Sequence, residues 1–206
     1  MKKNLLSLVA IFAISFSYSQ ELYFFTGTNI TKYDFRRNNG SINVDLQSGI
    51  GTTYEIGYKM PLKNSKFSYA FALSLNDYNA VSGSETYSYK WNTKYIGVQN
   101  TFYLPIYKKN NLQFIAQSAI GFSSILYGKQ ESNGIIYDLK YQDEFSGLIV
   151  VPSIGFQTQY KLKDYGFLCL GYNLSKSISP FNTTSEKLSF TTNQIIFGIN
   201  FNIDKK

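Results

Sequence analysis

Histidine is absent from this chain of 206 residues, and cysteine occurs once, at Cys169. Without an imidazole the usual general base is missing, and a lone thiol cannot form an intramolecular disulfide. First-row transition-metal sites are poorly supplied by such a composition, and no cofactor is expected. Charge is scarce as well: Asp, Glu, Lys and Arg make up 16% of residues, against roughly 25% in an ordinary soluble domain. No Gly-rich phosphate loop or dinucleotide fingerprint stands between a strand and a helix. No Lys/Arg block exceeds two residues, so the formal charge of +7 is dispersed as a solvated rim, and no nucleic-acid partner is expected.

Long hydrophobic runs are also missing. Leu5 to Phe16, behind Lys2 and Lys3, has the length of a signal-peptide core and is too short to cross a bilayer as a helix. Ser17-Tyr18-Ser19 supplies small residues at both positions a signal peptidase reads, so cleavage is expected after Ser19. The expected division is a signal peptide at 1–19 and one domain at 20–206, with a formal charge of +5 once Lys2 and Lys3 are removed.

What remains is rich in aromatics, 17% with 18 Tyr and 17 Phe, and is patterned with period two. Eight strands are predicted, at about 21–32, 49–62, 66–78, 91–107, 112–127, 146–162, 165–176 and 188–203. A ten-stranded version also fits if the first or third long loop contributes a membrane hairpin. Ile195, Phe197, Ile199 and Phe201 share one face of the last strand, opposite Gln194, Gly198, Asn200 and Asn202. In the second strand Tyr54, Ile56, Tyr58 and Met60 oppose Thr53, Glu55, Gly57 and Lys59. The mid-strand polar positions are mostly Gln, Asn, Ser, Thr and Gly, where a water-exposed surface would carry many more charges. Uncharged amides and hydroxyls suit an enclosed, hydrogen-bonded lumen, which turns the apolar face outward.

Connections alternate between tight turns (Lys63-Asn64-Ser65-Lys66, Lys108-Lys109-Asn110-Asn111, Lys163-Asp164) and long polar stretches near 33–48, 79–90, 128–145 and 177–187. This sorting predicts an all-β fold, an eight-stranded antiparallel up-and-down transmembrane β-barrel following a cleaved signal peptide. Both termini are expected on the periplasmic side with the tight turns, and the barrel wall is expected to contact outer-membrane lipid. Tyr103, Tyr107, Tyr127, Tyr160 and Phe67, near strand ends, are expected to form interfacial girdles. Pro152 falls within a strand and predicts a bulge or kink, whereas Pro61 and Pro105 precede tight turns.

The Lys-Lys signal segment ending in a small residue plus Gln, the eight dyad strands, the short turns and the closing Ile-Ile-Phe-Gly-Ile-Asn-Phe-Asn-Ile run resemble the small outer-membrane β-barrels typical of Bacteroidota, including PorT-like and OmpX-like proteins. The resemblance implies insertion by the outer-membrane assembly machinery and brings no catalytic residues. Barrel phospholipases, lipid A deacylases and acyltransferases, and omptin-like proteases rely on an active-site histidine, so the chain is expected not to be an enzyme. The chain departs from the usual terminal aromatic, which leaves Phe197, Ile199, Phe201 and Ile203 to carry the assembly signal.

Candidate functional positions are few. Glu55 and Lys59 lie four apart on the lumen face and are read as an ion pair, either a static plug or a gate. Asn38-Asn39-Gly40 and Ser132-Asn133-Gly134 are hairpin-tip signals in long loops. Tyr87, Tyr89 and Trp91 form either an aromatic patch or an anchor for the fourth strand. Asp143-Glu144 with Asp138 is either a solvated loop or a divalent-cation cluster. These observations favour a plugged barrel with a structural or adhesive role, its long loops facing a surface or envelope protein partner. A small-solute or amphiphile channel, a secretion-machinery subunit and a periplasmic lipocalin-like carrier are the alternatives.

Overall fold

The period-two pattern becomes ten antiparallel strands: β1 (Glu21–Arg36), β2 (Leu46–Pro61), β3 (Ser68–Asp77), β4 (Ala80–Gly83), β5 (Ser88–Lys109), β6 (Leu112–Ser132), β7 (Ile135–Asp138), β8 (Leu148–Leu162), β9 (Gly166–Lys176) and β10 (Lys187–Asn202). The computed structural model describes residues 20–36, 46–83, 88–163, 165–180 and 187–203. The expected signal peptide at 1–19 lies outside them, as do Asn39, Gly40 and Tyr87. Eight strands close a ring in the order β1-β2-β3-β5-β6-β8-β9-β10, and β10 pairs back onto β1 from Glu21↔Asn202 to Arg36↔Lys187. The two short strands are extensions of that ring. β4 pairs with β2 and β5, and β7 pairs only with β6, so neither supplies the extra membrane hairpin of a ten-stranded barrel.

Alternation sorts the side chains as the amide-rich positions imply. Thr53, Glu55 and Lys59 of β2 are buried while Tyr54 and Ile56 are exposed, and Ile195, Phe197 and Phe201 of β10 stand outside while Ile196 and Asn200 are buried. An apolar outer wall and an inward amide face are the reverse of a lipocalin. Phe67, Tyr107, Tyr127 and Tyr160 are exposed near strand ends, but Tyr103 points inward and is buried. Its parity is that of Thr101 and Gln99, so position near a strand end was a poorer guide than alternation.

The expected bulge at Pro152 is not there. Pro152 pairs with Ile120 in an unbroken β6–β8 register. On the other side the β8–β9 ladder stops at Ser153↔Ser175 and resumes as the bridge Val150↔Ile178 with the same register. The missing N–H therefore leaves a gap in one ladder and no extra residue. Register shifts occur instead along β5–β6, between Lys94 and Tyr95 and between Pro105 and Tyr107, leaving Leu126 and Ile106 without Cα partners.

The turns use left-handed residues where tight reversal demands them. Asn64, Asn110 and Lys163 have positive φ at the short-turn end. At the other end Asn133 (φ 49°) and Gly134 (φ 83°) connect Ser132 to its partner Ile135, a two-residue hairpin with both central residues left-handed.

Candidate functional site

The barrel interior is stacked in three layers. Nearest the short turns, Tyr23, Phe25, Ala70, Ala72, Tyr103, Ile115, Cys169 and Ile196 form an apolar cluster. Tyr23 and Phe25 pack with tilted rings, their centroids 4.6 Å apart. Below them Lys59 Nζ lies 3.0 Å from Glu21 and 5.1 Å from the Tyr103 ring centroid, and Asn200 Nδ2 donates to the same Glu21 oxygen at 2.7 Å.

The expected pairing of Glu55 with Lys59 is therefore corrected: the partner of Lys59 is Glu21. Positions i and i+4 on a strand are about 13 Å apart, whereas directly paired residues have Cβ atoms about 5 Å apart, and Glu21↔Lys59 is such a pair. Glu55 accepts instead from Tyr23 Oη at 2.6 Å and Gln99 Nε2 at 3.2 Å.

The middle layer is polar. Gln117 of β6 donates to Asn173 of β9, whose Nδ2 donates to Gln194 Oε1 of β10 at 2.9 Å. Gln194 Nε2 reaches Asn29 Oδ1 of β1 at 3.0 Å and Thr53 Oγ1 of β2 at 3.2 Å, and Thr53 Oγ1 donates to Asn76 of β3 at 2.8 Å. One hydrogen-bonded chain thus joins six ring strands. The void beside Glu55, Gln99 and Gln117 measures about 10 Å³, which is no more than a single water needs.

The third layer, toward the long loops, is aromatic again. Phe190 packs on Tyr78, Tyr33 and Tyr95 with centroids at 4.4, 5.8 and 6.0 Å. Tyr33 Oη donates to the Tyr78 carbonyl at 2.6 Å, so its hydroxyl is satisfied inside the cluster. Leu139 and Phe145, from the segment between β7 and β8, fold inward and are buried there. Leu139 N–H donates to Gly128 O at 3.0 Å and holds that segment over the barrel.

Sequence reading missed these two apolar layers. Tyr23 and Phe25 share parity with Asn29, Thr31 and Tyr33, so alternation alone identifies them as interior. Leu139 and Phe145 are isolated apolar residues in a polar loop, a weaker signal with no period to support it.

Above the third layer opens a cavity of about 290 Å³ lined by Tyr33, Phe35, Leu46, Trp91, Gln130, Gln142, Glu144, Phe145 and Leu188. Trp91 sits on β5 opposite Ala80 and Gln130, with its ring stacked on Tyr89 at 6.1 Å and its side chain packed on the upper cluster. The loop acids do not converge. Asp138 Oδ1 accepts the Lys140 amide at 2.8 Å, Glu144 lines the cavity, and no group of three potential metal ligands occurs among the described residues. Asn133 and Gly134 form the exposed hairpin tip, apart from the cavity.

No protein-family model matches the chain, and no curated protein is similar to it in sequence. Among solved structures, OprG from Pseudomonas aeruginosa, an outer-membrane protein, is similar with a TM-score of 0.51 at 7% identity, covering 91% of this chain and 97% of OprG. Neisserial surface protein A is similar with a TM-score of 0.49 at 11% identity, covering 86% and 96%.

The expectation that the chain is not an enzyme is corrected by two further matches. The outer-membrane enzyme PagL (TM-score 0.41, 8% identity, covering 83% and 98%) and the outer-membrane protease OmpT from Escherichia coli (0.45, 9%, 90% and 97%) are also similar structures. A barrel of this kind can carry catalysis, so the architecture by itself does not exclude it. What the closed ring, its outward apolar wall and the similarity to OprG establish is the fold, an eight-stranded antiparallel up-and-down barrel of the outer-membrane type.

Proposed function

We propose that the chain is an integral outer-membrane barrel with a closed lumen that acts through its long-loop end, as a structural and adhesive element contacting a surface or envelope partner. The outer wall supports the membrane placement. Phe67 and Asp77 bound the apolar outer face of β3 and its approach, and the ion pair Asp77–Lys94 (2.6 Å) closes that face above. Ten residues span about 33 Å along a strand, or about 25 Å at a tilt of about 40°, the height of an outer-membrane apolar band. The short turns and both chain ends then face the periplasm.

The observation that carries the interaction role is the free edge of β7. Ile135, Ile136 and Tyr137 are 58%, 62% and 46% exposed, and among the described residues only one side of this strand is paired, with β6. The edge lies beyond the Asp77–Lys94 level, where lipid does not cover it. An apolar strand edge in water is a template for strand addition.

Three measurements test the proposal. Fractionation with a heat-modifiability gel checks placement and closure; recovery in the soluble periplasm would overturn the membrane reading. Planar-bilayer recording is expected to show no steady conductance, because two aromatic layers and the amide layer cross the axis, and a steady open current would refute the closed lumen. Cells displaying the chain are expected to lose most of their adherence on Ile136→Asp, which spoils the edge while leaving the ring intact. Unchanged adherence would remove β7 from the role.

A further inference from the structure

We infer that the cavity at the long-loop mouth is a binding site for a small organic cation with an apolar body, an amine or quaternary ammonium on one ring or a short chain. The site is separate from the β7 edge and does not depend on the adhesive reading. Its floor is the aromatic layer, since Tyr33 and Phe145 belong both to the cavity wall and to the packed cluster below. The Tyr33 hydroxyl is committed to the Tyr78 carbonyl and Thr93, so toward the cavity Tyr33 offers ring surface only. Trp91 adds an indole face to one side.

The charge pattern selects the sign of the ligand. Among the described residues, Glu144 is the one ionisable carboxylate of the wall, no Lys or Arg lines the cavity, and Glu144 has no ion-pair partner. A half-buried carboxylate beside several aromatic faces attracts a cation twice over, through its own charge and through the ring quadrupoles. A carboxylate ligand would meet Glu144 with like charge. Gln130 and Gln142 provide amides for whatever N–H groups the cation carries.

Size narrows the class further. A volume of about 290 Å³ equals roughly ten liquid waters and falls at the bottom of the range for small-molecule sites. A phenylalkylamine is of a size for that space.

Trp91 is the only tryptophan of the chain and lines the site, so its fluorescence reports occupancy directly. The full chain in nanodiscs of zwitterionic phosphatidylcholine is titrated with 2-phenylethylammonium, with 3-phenylpropanoate and with 2-phenylethanol. A saturable Trp91 response is expected for the ammonium, at least tenfold weaker for the neutral alcohol, and absent for the carboxylate. Glu144→Gln, on a partly exposed loop position, is expected to weaken ammonium binding at least tenfold while gel mobility confirms a folded barrel. Phe145→Leu is expected to weaken the ammonium and the alcohol together, since it removes ring surface and leaves the charge. Equal responses to all three compounds, no saturable response to the ammonium, or an unchanged Glu144→Gln variant would each overturn the assignment. None of these outcomes bears on adherence or conductance.

Discussion

Lys59→Met is expected to destabilise the barrel by about 3 kcal/mol, and most of that loss is expected to disappear when Glu21→Gln is added. The side chains of Lys59 and Glu21 are 8% and 16% exposed, their atoms approach to 3.0 Å, and Asn200 donates to the same carboxylate at 2.7 Å. These three residues sit on β2, β1 and β10, so the clasp crosses the junction between the first and last strands. Two unit charges about 4 Å apart attract by about 4 kcal/mol at an effective dielectric of about 20. Glu21 is partly wet and keeps its Asn200 bond, so some of this returns as hydration when Lys59 is lost. A coupling of about 2–3 kcal/mol remains, near the lower end of what breaking a buried pair costs. Methionine keeps the stem beside the Tyr103 ring, which isolates the charge. The assay is a double-mutant cycle of four proteins, each titrated with urea in lipid vesicles and followed by Trp91 fluorescence and gel mobility. A coupling below about 0.5 kcal/mol would show the pair to be hydrated and would refute the argument that it secures the junction.

Other outcomes follow from the same geometry. Phe145→Ala is expected to cost about 2 kcal/mol, less than a rigid core site because its loop can lift; hydrogen exchange is expected to show faster exchange at Leu139, whose amide is bonded to Gly128 O of β6, and at residues 145 and 146, whose amides are bonded to Gln142 O, with the other β-barrel amides unchanged. Gly57→Val is expected to block refolding, since a Cβ there lies 2.4 Å from the Tyr23 ring and 2.7 Å from Ala72 Cβ. Adding Tyr23→Ala and Ala72→Gly together, which removes both clashes, is expected to restore yield on a heat-modifiability gel. Tyr172→Phe removes the 2.5 Å bond to Asn193 Oδ1 on the outer wall and is expected to cost about 1–2 kcal/mol in a urea titration in vesicles. Changing Asn193→Leu as well is expected to recover it, because no unpaired amide then faces lipid.

The ring was legible in the sequence because period two and turn chemistry are local. Each predicted strand lies within or close to a ring strand, and Asn133-Gly134 announces its hairpin through residues that tolerate positive φ. The partner of Lys59 was not legible along the strand, because it depends on the register between β1 and β2. The consequence of Pro152 was misjudged for a related reason: a missing donor matters only on the side that its N–H would face, and that side is a property of the neighbouring strand. Leu139 and Phe145 carry no periodic signature, so only tertiary packing reveals them as interior. The mouth cavity gathers residues from β1, β2, β5, β6, β10 and the β7–β8 segment, and sequence distance hides that company.

The amide layer also bears on how the barrel is assembled. Gln194 is satisfied by Asn29 and Thr53, residues that lie 165 and 141 positions earlier in the chain. A sheet still missing its last strand therefore presents Asn29, Thr53, Asn76 and Asn173 to its own interior with this hub absent, each short of a partner in a place with little water. Adding β10 satisfies them together. The layer works as a completion check: the half-built sheet is penalised in proportion to the amides it leaves open, and only the arrival of the final strand removes the penalty in one step.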